Sequence, residues 1–147
     1  MLAIIGGSGL YSLGDDFELE EQPPRDTPYG ETSADILQGN WQDVALAFLS
    51  RHGPGHKVPP HRINYRANLW ALKNIGVQHI IAVNAVGGIG ANMPPLTLAV
   101  PDQIIDYSSG REHSYFDGAE GVVNHIDFSW PYSAQLRGII TEVGLQQ

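Results

Sequence analysis

No cysteine occurs among the 147 residues, so disulfide frameworks and thiolate metal sites are excluded. Cations are scarce: 8 Lys and Arg stand against 16 Asp and Glu, a formal net charge of -8. A general nucleic-acid binder needs a field of Lys and Arg to displace counterions, and that field is missing. Long apolar runs are missing too. The opening MLAIIGGSGLYSLG has no basic leader region, and its apolar stretch is far too short to span a bilayer. The default expectation is a soluble, cytoplasmic protein with no membrane partner. Hydrophobic residues make up 42% and charged residues 16%, which suits a folded chain rather than a disordered one. The length suffices for one domain with a core.

The few cations are unevenly placed. Eight acids fall between Asp15 and Asp35 (Asp15, Asp16, Glu18, Glu20, Glu21, Asp26, Glu31 and Asp35), accompanied only by Arg25. From Arg51 to Arg66 there is no acid, yet Arg51, Lys57, Arg62 and Arg66 lie there with His52, His56 and His61. Such a segment either makes a local anion site or presents a solvated face.

Hydrophobic patterning predicts alternating strands and helices. Leu2-Ala3-Ile4-Ile5 reads as a short buried strand running into Gly6-Gly7-Ser8-Gly9. The acidic stretch from Gly14 to Gly30 reads as surface loop. Asp35 to Leu37 and Val44 to Leu49 read as strands joined by a turn around Gly39-Asn40. The segment RHGPGHKVPP, from Arg51 to Pro60, holds two Gly and three Pro and reads as a loop beginning where a strand ends. Asn64 to Ile75 is the clearest helix. Tyr65, Leu69 and Leu72 recur at helical spacing, Ala67, Trp70 and Ala71 widen the stripe, Asn64 caps the start and Gly76 follows the end. His79 to Val83 reads as a strand covered on both faces, ending in Asn84-Ala85-Val86-Gly87-Gly88. A further strand is expected over Gln103 to Tyr107. A last helix is expected after Pro131, with Leu136, Ile139, Ile140 and Val143 on one side. The expected fold class is α/β, a mixed central sheet flanked by helices.

Three strand ends carry groups suited to an anion. Gly6-Gly7-Ser8-Gly9 offers backbone N–H groups and a hydroxyl, although a structural glycine turn is an equally good reading. A dinucleotide fingerprint fails, because the third glycine position counted from Gly7 is Ser12 and acidic loop follows. Arg51 carries a planar fork matched to two phosphate oxygens, and His52 can add a hydrogen bond; an ordinary surface ion pair is the plain alternative. A metal set on His52, His56 and His61 is disfavoured, since the spacing sits in a Pro/Gly loop with no acid nearby. Asn84 supplies an amide beside the small Ala85, where a ligand can approach the backbone, or the glycines there simply serve packing.

IIGGSGLY, RHGPGH, PPHRINYRANLWALK and VNAVGG, in this order, resemble the trimeric purine nucleoside phosphorylase and methylthioadenosine phosphorylase family. VNAVGGIG, IIDYSSGREHSYFDG and VNHIDFSWPY look most like its S-methyl-5′-thioinosine phosphorylase branch. The resemblance runs over essentially the whole chain. It implies a nucleoside phosphorylase-like fold of which residues 1–147 are the N-terminal part of a single domain, with the later half absent. It implies that Ser8, Arg51, His52, Asn84 and Ala85 bind phosphate, and that His125 lies near the 5′ end of the sugar. The methylthioadenosine branch has Thr where Asn84 stands, so the backbone of Ala85 is the firmer carry-over. Asn64 and Tyr65 read better as helix-start and core residues than as ligand contacts. The implied reaction is phosphorolysis of S-methyl-5′-thioinosine to hypoxanthine and 5-methylthioribose 1-phosphate, with inorganic phosphate as co-substrate and no cofactor or metal; a methylthioadenosine or purine nucleoside phosphorylase is the alternative, and a non-catalytic phosphate- or nucleotide-binding module the alternative of another class. The purine-recognising group and the ribose-contacting segment lie in the later half, so no catalytic residue is assigned here and residues 1–147 alone are expected to be poorly active. A homotrimer is implied, with Tyr115, Phe116 or Trp130 as anchors between subunits or, equally, as core residues.

Overall fold

The computed structural model describes residues 1–112, 114–118 and 121–146. Two compact units divide them, Met1–Val86 with Arg111–Tyr115, and Gly87–Gly110 with Phe116–Gln147.

The first unit is built on a five-stranded mixed sheet, in line with the α/β expectation. Its strands are β1 (Leu2–Gly6), β2 (Phe17–Glu21), β5 (Ile36–Trp41), β6 (Val44–Ser50) and β7 (His79–Ala82), while β3 (Asp26–Thr27) and β4 (Gly30–Glu31) form a small separate hairpin. The order is β2-β5-β6-β1-β7, with β2, β5 and β6 antiparallel and β6, β1 and β7 parallel. Between β6 and β7 runs helix α1 (Tyr65–Asn74), a crossover that carries the chain from one side of β1 to the other. Parallel neighbours require such a crossover.

Helix α1 forms where the sequence signals it. The Asn64 side chain accepts from the Ala67 N–H at 3.1 Å, and Gly76 takes φ +88 just beyond the end. The buried stripe is largely the one expected, with Asn68 in it and Leu69 outside it. Ala67, Asn68, Ala71 and Leu72 face inward, whereas Leu69 is 40% exposed. Asn68 can face inward because its amide is satisfied: Oδ1 accepts from the Ser33 N–H at 2.8 Å and Nδ2 donates to Ser33 Oγ at 3.0 Å. Ala71 and Leu72 pack with Ala3, Ile36, Ala47 and Leu49 in the core. Burying one such leucine contributes roughly 1.5–3 kcal/mol.

Three further expectations change. The turn between β5 and β6 is Gln42-Asp43, not Gly39-Asn40, because both turn residues adopt left-handed φ (48 and 64) and close a two-residue hairpin. Gly39 lies inside β5, where a Cβ would fall 2.0 Å from the Glu18 carbonyl oxygen. Part of the acidic loop is β2, a charged edge strand. Strand β7 is not covered on both faces, since it is the other edge of the sheet and Val83 just beyond it is 42% exposed.

Arg111–Tyr115 docks on this unit through Arg66. The Arg66 guanidinium pairs with Glu112 and lies 5.1 Å over the Tyr29 ring, and the Tyr115 hydroxyl donates to the Arg66 carbonyl at 2.6 Å. Tyr29 and Tyr115 meet edge to face at 5.0 Å.

The second unit contains helix α2 (Ala134–Gly144), which starts after Pro131 as expected, with Ser133 Oγ accepting from the Leu136 N–H. Its apolar side is not buried: Ile139 and Val143 are 51% and 52% exposed. Gln103 to Tyr107 forms no strand; no partner among the described residues ladders with it, and Tyr107 is 89% exposed. No helix among the described residues is long and apolar enough to cross a membrane.

Candidate functional site

The three parallel strands end side by side. Gly6 pairs with Ser50 and Ile5 with Ala82, so the next residues, Gly7, Arg51 and Val83, emerge together at one edge of the sheet. Two backbone bonds continue the ladder past the strand ends: Arg51 N–H to the Gly6 carbonyl at 3.1 Å, and Val83 N–H to the Ile5 carbonyl at 3.0 Å. Adjacent strands lie about 4.8 Å apart, so the corners on β6 and β7 are separated by about 10 Å with the glycine corner between them. The chain leaves β1 toward β6 on one side and reaches β7 on the other. The carboxyl ends of strands beside such a reversal are the place where open α/β sheets hold ligands.

Side chains tie the corners together. Arg51 reaches across β1 and donates from Nη1 to the Val83 carbonyl at 2.9 Å. Its guanidinium lies directly over Gly7: a Cβ there would fall 2.1 Å from Arg51 Nη2 and 2.7 Å from the Val83 oxygen. Only glycine permits this approach. Gly6 is equally constrained, because a Cβ would meet the Leu10 carbonyl at 2.2 Å. Leu10 N–H closes the turn onto the Gly7 carbonyl at 3.1 Å, with Gly9 at φ +89, and this leaves Ser8 exposed at the crest.

Arg51 therefore holds its fork with one arm docked on the Val83 carbonyl and the other over Gly7. His52 is 6% exposed, and its Nδ1 donates to the Val58 carbonyl at 2.9 Å, since a carbonyl can only accept. That bond fixes the tautomer and leaves Nε2 for a ligand. The neutral ring can accept there from a hydrogen-phosphate hydroxyl; it donates there only as an imidazolium. Asn84 and Ala85 are exposed on the third corner.

Ser8, Arg51, His52, Asn84 and Ala85 all belong to the first unit and follow the ends of its three parallel strands. His125 belongs to the second unit and is exposed there. Among the described residues no group of three His, Asp or Glu is set to hold a metal ion. His52 and His56 stack their rings at 4.3 Å and 26°, an arrangement of packing rather than of converging lone pairs.

Residues 1–147 match the phosphorylase superfamily along their whole length. The chain belongs to that superfamily.

Relatives of this phosphorylase chain carry several substrate names. It is 47% identical over 144 residues to a probable 6-oxopurine nucleoside phosphorylase of Dictyoglomus turgidum, covering 96% of this chain and 52% of that protein. It is 48% identical over 135 residues to a probable S-methyl-5′-thioinosine phosphorylase of Pseudomonas syringae pv. tomato, covering 92% and 54%. The structure of methylthioadenosine phosphorylase from Schistosoma mansoni in complex with adenine superposes with a TM-score of 0.89 at 34% identity, covering 99% of this chain and 53% of that one. The phosphorylase chain spans about half the length of the curated relatives it matches.

Sequence reasoning weighed His56 only as a metal ligand and did not weigh Tyr11. The Tyr11 hydroxyl meets His56 Nδ1 at 3.3 Å. The signal available was placement: Tyr11 stands three residues after Ser8 and His56 four after His52, and each is the next ring beyond a corner of the site.

Proposed function

We propose that this chain is part of a phosphorylase that cleaves S-methyl-5′-thioinosine with inorganic phosphate, giving hypoxanthine and 5-methylthioribose 1-phosphate. The observation that supports the reading best is the Arg51 guanidinium, laid over Gly7 and held on the Val83 carbonyl where three parallel strands end. In the proposed reaction a phosphate oxygen bonds the anomeric carbon as the C–N bond breaks, and the base leaves with the bonding pair and takes up a proton. Positive charge develops on the sugar, so a phosphate held beneath it both attacks and stabilises. Arg51, the Ser8 hydroxyl, His52 and the corner amides near Ala85 are the groups we assign to phosphate. His125 is assigned to the 5′ end of the sugar. The proposed assembly is a cytoplasmic homotrimer, checked by sedimentation equilibrium.

The test is phosphate-dependent release of free base from S-methyl-5′-thioinosine, S-methyl-5′-thioadenosine and inosine in parallel, with inorganic phosphate binding measured beside it. Preference for the first supports the branch, and a clear preference for inosine overturns it. Arg51→Ala is expected to weaken phosphate binding by about 10-fold to 100-fold, the loss of one or two charge-assisted hydrogen bonds. Unchanged phosphate dependence removes Arg51 from the site. A second reading, methylthioadenosine as substrate, is favoured by the superposition on the Schistosoma mansoni enzyme, and the same three-substrate comparison decides it.

A further inference from the structure

His52 is held from more than one side. Its Nδ1 is bonded to the Val58 carbonyl at 2.9 Å, which fixes one end of the ring. Its face is covered by His56, with the two centroids 4.3 Å apart and the planes 26° from parallel. His56 is itself exposed and would swing freely without a partner. Tyr11 is that partner, its hydroxyl 3.3 Å from His56 Nδ1 and its ring set edge-on at 86° with centroids 6.1 Å apart.

The backbone is shaped to deliver His56 to this position. Gly53, Gly55 and His56 all adopt left-handed φ, at +71, +66 and +56. Glycine takes that conformation readily, whereas histidine does so uncommonly and needs support from its surroundings. The His56 N–H bonds to the Gly53 carbonyl at 3.2 Å, and the Val58 N–H returns to the His52 carbonyl at 2.8 Å. The loop thus curls back so that the ring four residues after His52 lies flat upon it. Tyr11 comes from the other corner, one residue after the Leu10 N–H that closes the Gly7 turn.

We infer that Tyr11 and His56 are positioning residues that hold the His52 ring with Nε2 aimed at the anion and couple the glycine-serine turn to the arginine-histidine corner. This rests on the phosphate reading proposed above for His52. The occupant is inorganic phosphate, and the two residues act on it through His52 rather than by contacting the phosphate. Packing alone would also place rings together, but it would not require the Tyr11 hydroxyl, and loss of that hydroxyl would then not loosen the His52 bond to Val58.

Three variants separate the two accounts. Tyr11→Phe keeps the ring and removes the hydroxyl. His56→Asn keeps a polar acceptor that tolerates left-handed φ and removes the stack. His56→Phe keeps the stack and removes Nδ1. The ring nitrogens of His52 are observed by long-range proton–nitrogen NMR at fixed pH without phosphate, and inorganic phosphate is then titrated into the same samples. In the unaltered chain His52 is expected as a single Nδ1–H tautomer. Tyr11→Phe and His56→Asn are expected to move it toward tautomer averaging and to weaken phosphate binding by about 3-fold to 10-fold, the range for one lost hydrogen bond or contact. His56→Phe, which removes the same contact to Tyr11, is expected to behave like Tyr11→Phe, and an unchanged His52 signal in it would overturn the role given to the Tyr11 hydroxyl. Unchanged His52 nitrogens in both Tyr11→Phe and His56→Asn overturn the inference, as does an altered ring with unaltered phosphate affinity. If the unaltered chain binds no phosphate, the phosphate reading fails by itself, while the nitrogen signals still show whether Tyr11 and His56 hold the ring.

Discussion

At the scale of single residues, the site depends on atoms that are absent as much as on those present. Gly7 lacks the Cβ that would fall 2.1 Å from Arg51 Nη2 and 2.7 Å from the Val83 oxygen. Gly7→Ala is therefore expected to cost about 1–3 kcal/mol through overpacking and to displace the guanidinium. Gly9 gives the contrast: it has open space around it but sits at φ +89. Gly9→Ala is expected to cost about 1–2 kcal/mol of backbone strain while leaving phosphate binding nearly intact. Urea unfolding with phosphate titration of both variants checks the pair, and equal loss of phosphate binding in the two would contradict it. A second residue-scale expectation concerns Tyr115. Burial, and then the neighbouring Tyr29, hold its hydroxyl above the ordinary value of 10.0. A raised value means the neutral form is favoured in the folded state. The contribution is complete below pH 10 and is lost as pH rises through the folded value, when the anion can no longer donate to the Arg66 carbonyl. Absorbance at 295 nm, compared between the chain and Tyr115→Phe, should show one late-titrating tyrosine.

At the scale of elements, strands were legible where a buried sheet position left no choice of residue, and turns were not. Ala3, Ala47 and Leu49 are fully buried on adjacent strands, and the apolar runs around them signal those strands directly. The Gly39-Asn40 pair looks like a turn but serves a different need, the close approach of β2 to β5 at Glu18. The true turn, Gln42-Asp43, has a favourable Asp at its second position but lacks the Asn-Gly or Asp-Gly pair that marks such turns, so its local signal is weak. The mismatch has a measurable consequence. Replacing Gln42-Asp43 by Asn-Gly, which adopts left-handed φ without strain, is expected to raise stability by about 0.5–1 kcal/mol. Both positions are exposed, so no packing is lost. The checking measurement is the urea midpoint, and a fall rather than a rise would show that Gln42 or Asp43 has a role the hairpin geometry does not reveal. Helix α1 was legible in its ends and in most of its buried face, Ala67, Ala71 and Leu72, but not in the exchange of Leu69 for Asn68. The pattern rewards Leu69, whereas the Ser33 bonds let Asn68 take the buried position.

At the scale of the whole molecule, the sequence places the three candidate corners at strand ends, and these ends lie on neighbouring strands of the first unit. Of the second unit only helix α2 was legible, because its apolar residues are placed without the burial that patterning assumes. Ile89, Leu96, Leu98 and Trp130 are 101%, 105%, 76% and 83% exposed. Monomeric soluble proteins rarely leave apolar side chains uncovered over a contiguous patch of more than a few hundred Å², and such patches associate or bind apolar probes. A chain of these 147 residues is therefore expected to bind the dye ANS and to self-associate as its concentration rises, despite a net charge of -8 that opposes association. Raising the salt screens that repulsion, so association should strengthen with ionic strength, the reverse of what an ion-pair interface would show. Leu96→Ser combined with Trp130→Ser should reduce both dye binding and association. Light scattering across a salt series, with the dye measured in parallel, distinguishes the outcomes. Association that weakens with salt would instead require oppositely charged surfaces to meet, such as the acidic cleft of about 310 Å³ lined by Asp15, Asp16, Glu18 and Asp43 against a cationic segment of another copy.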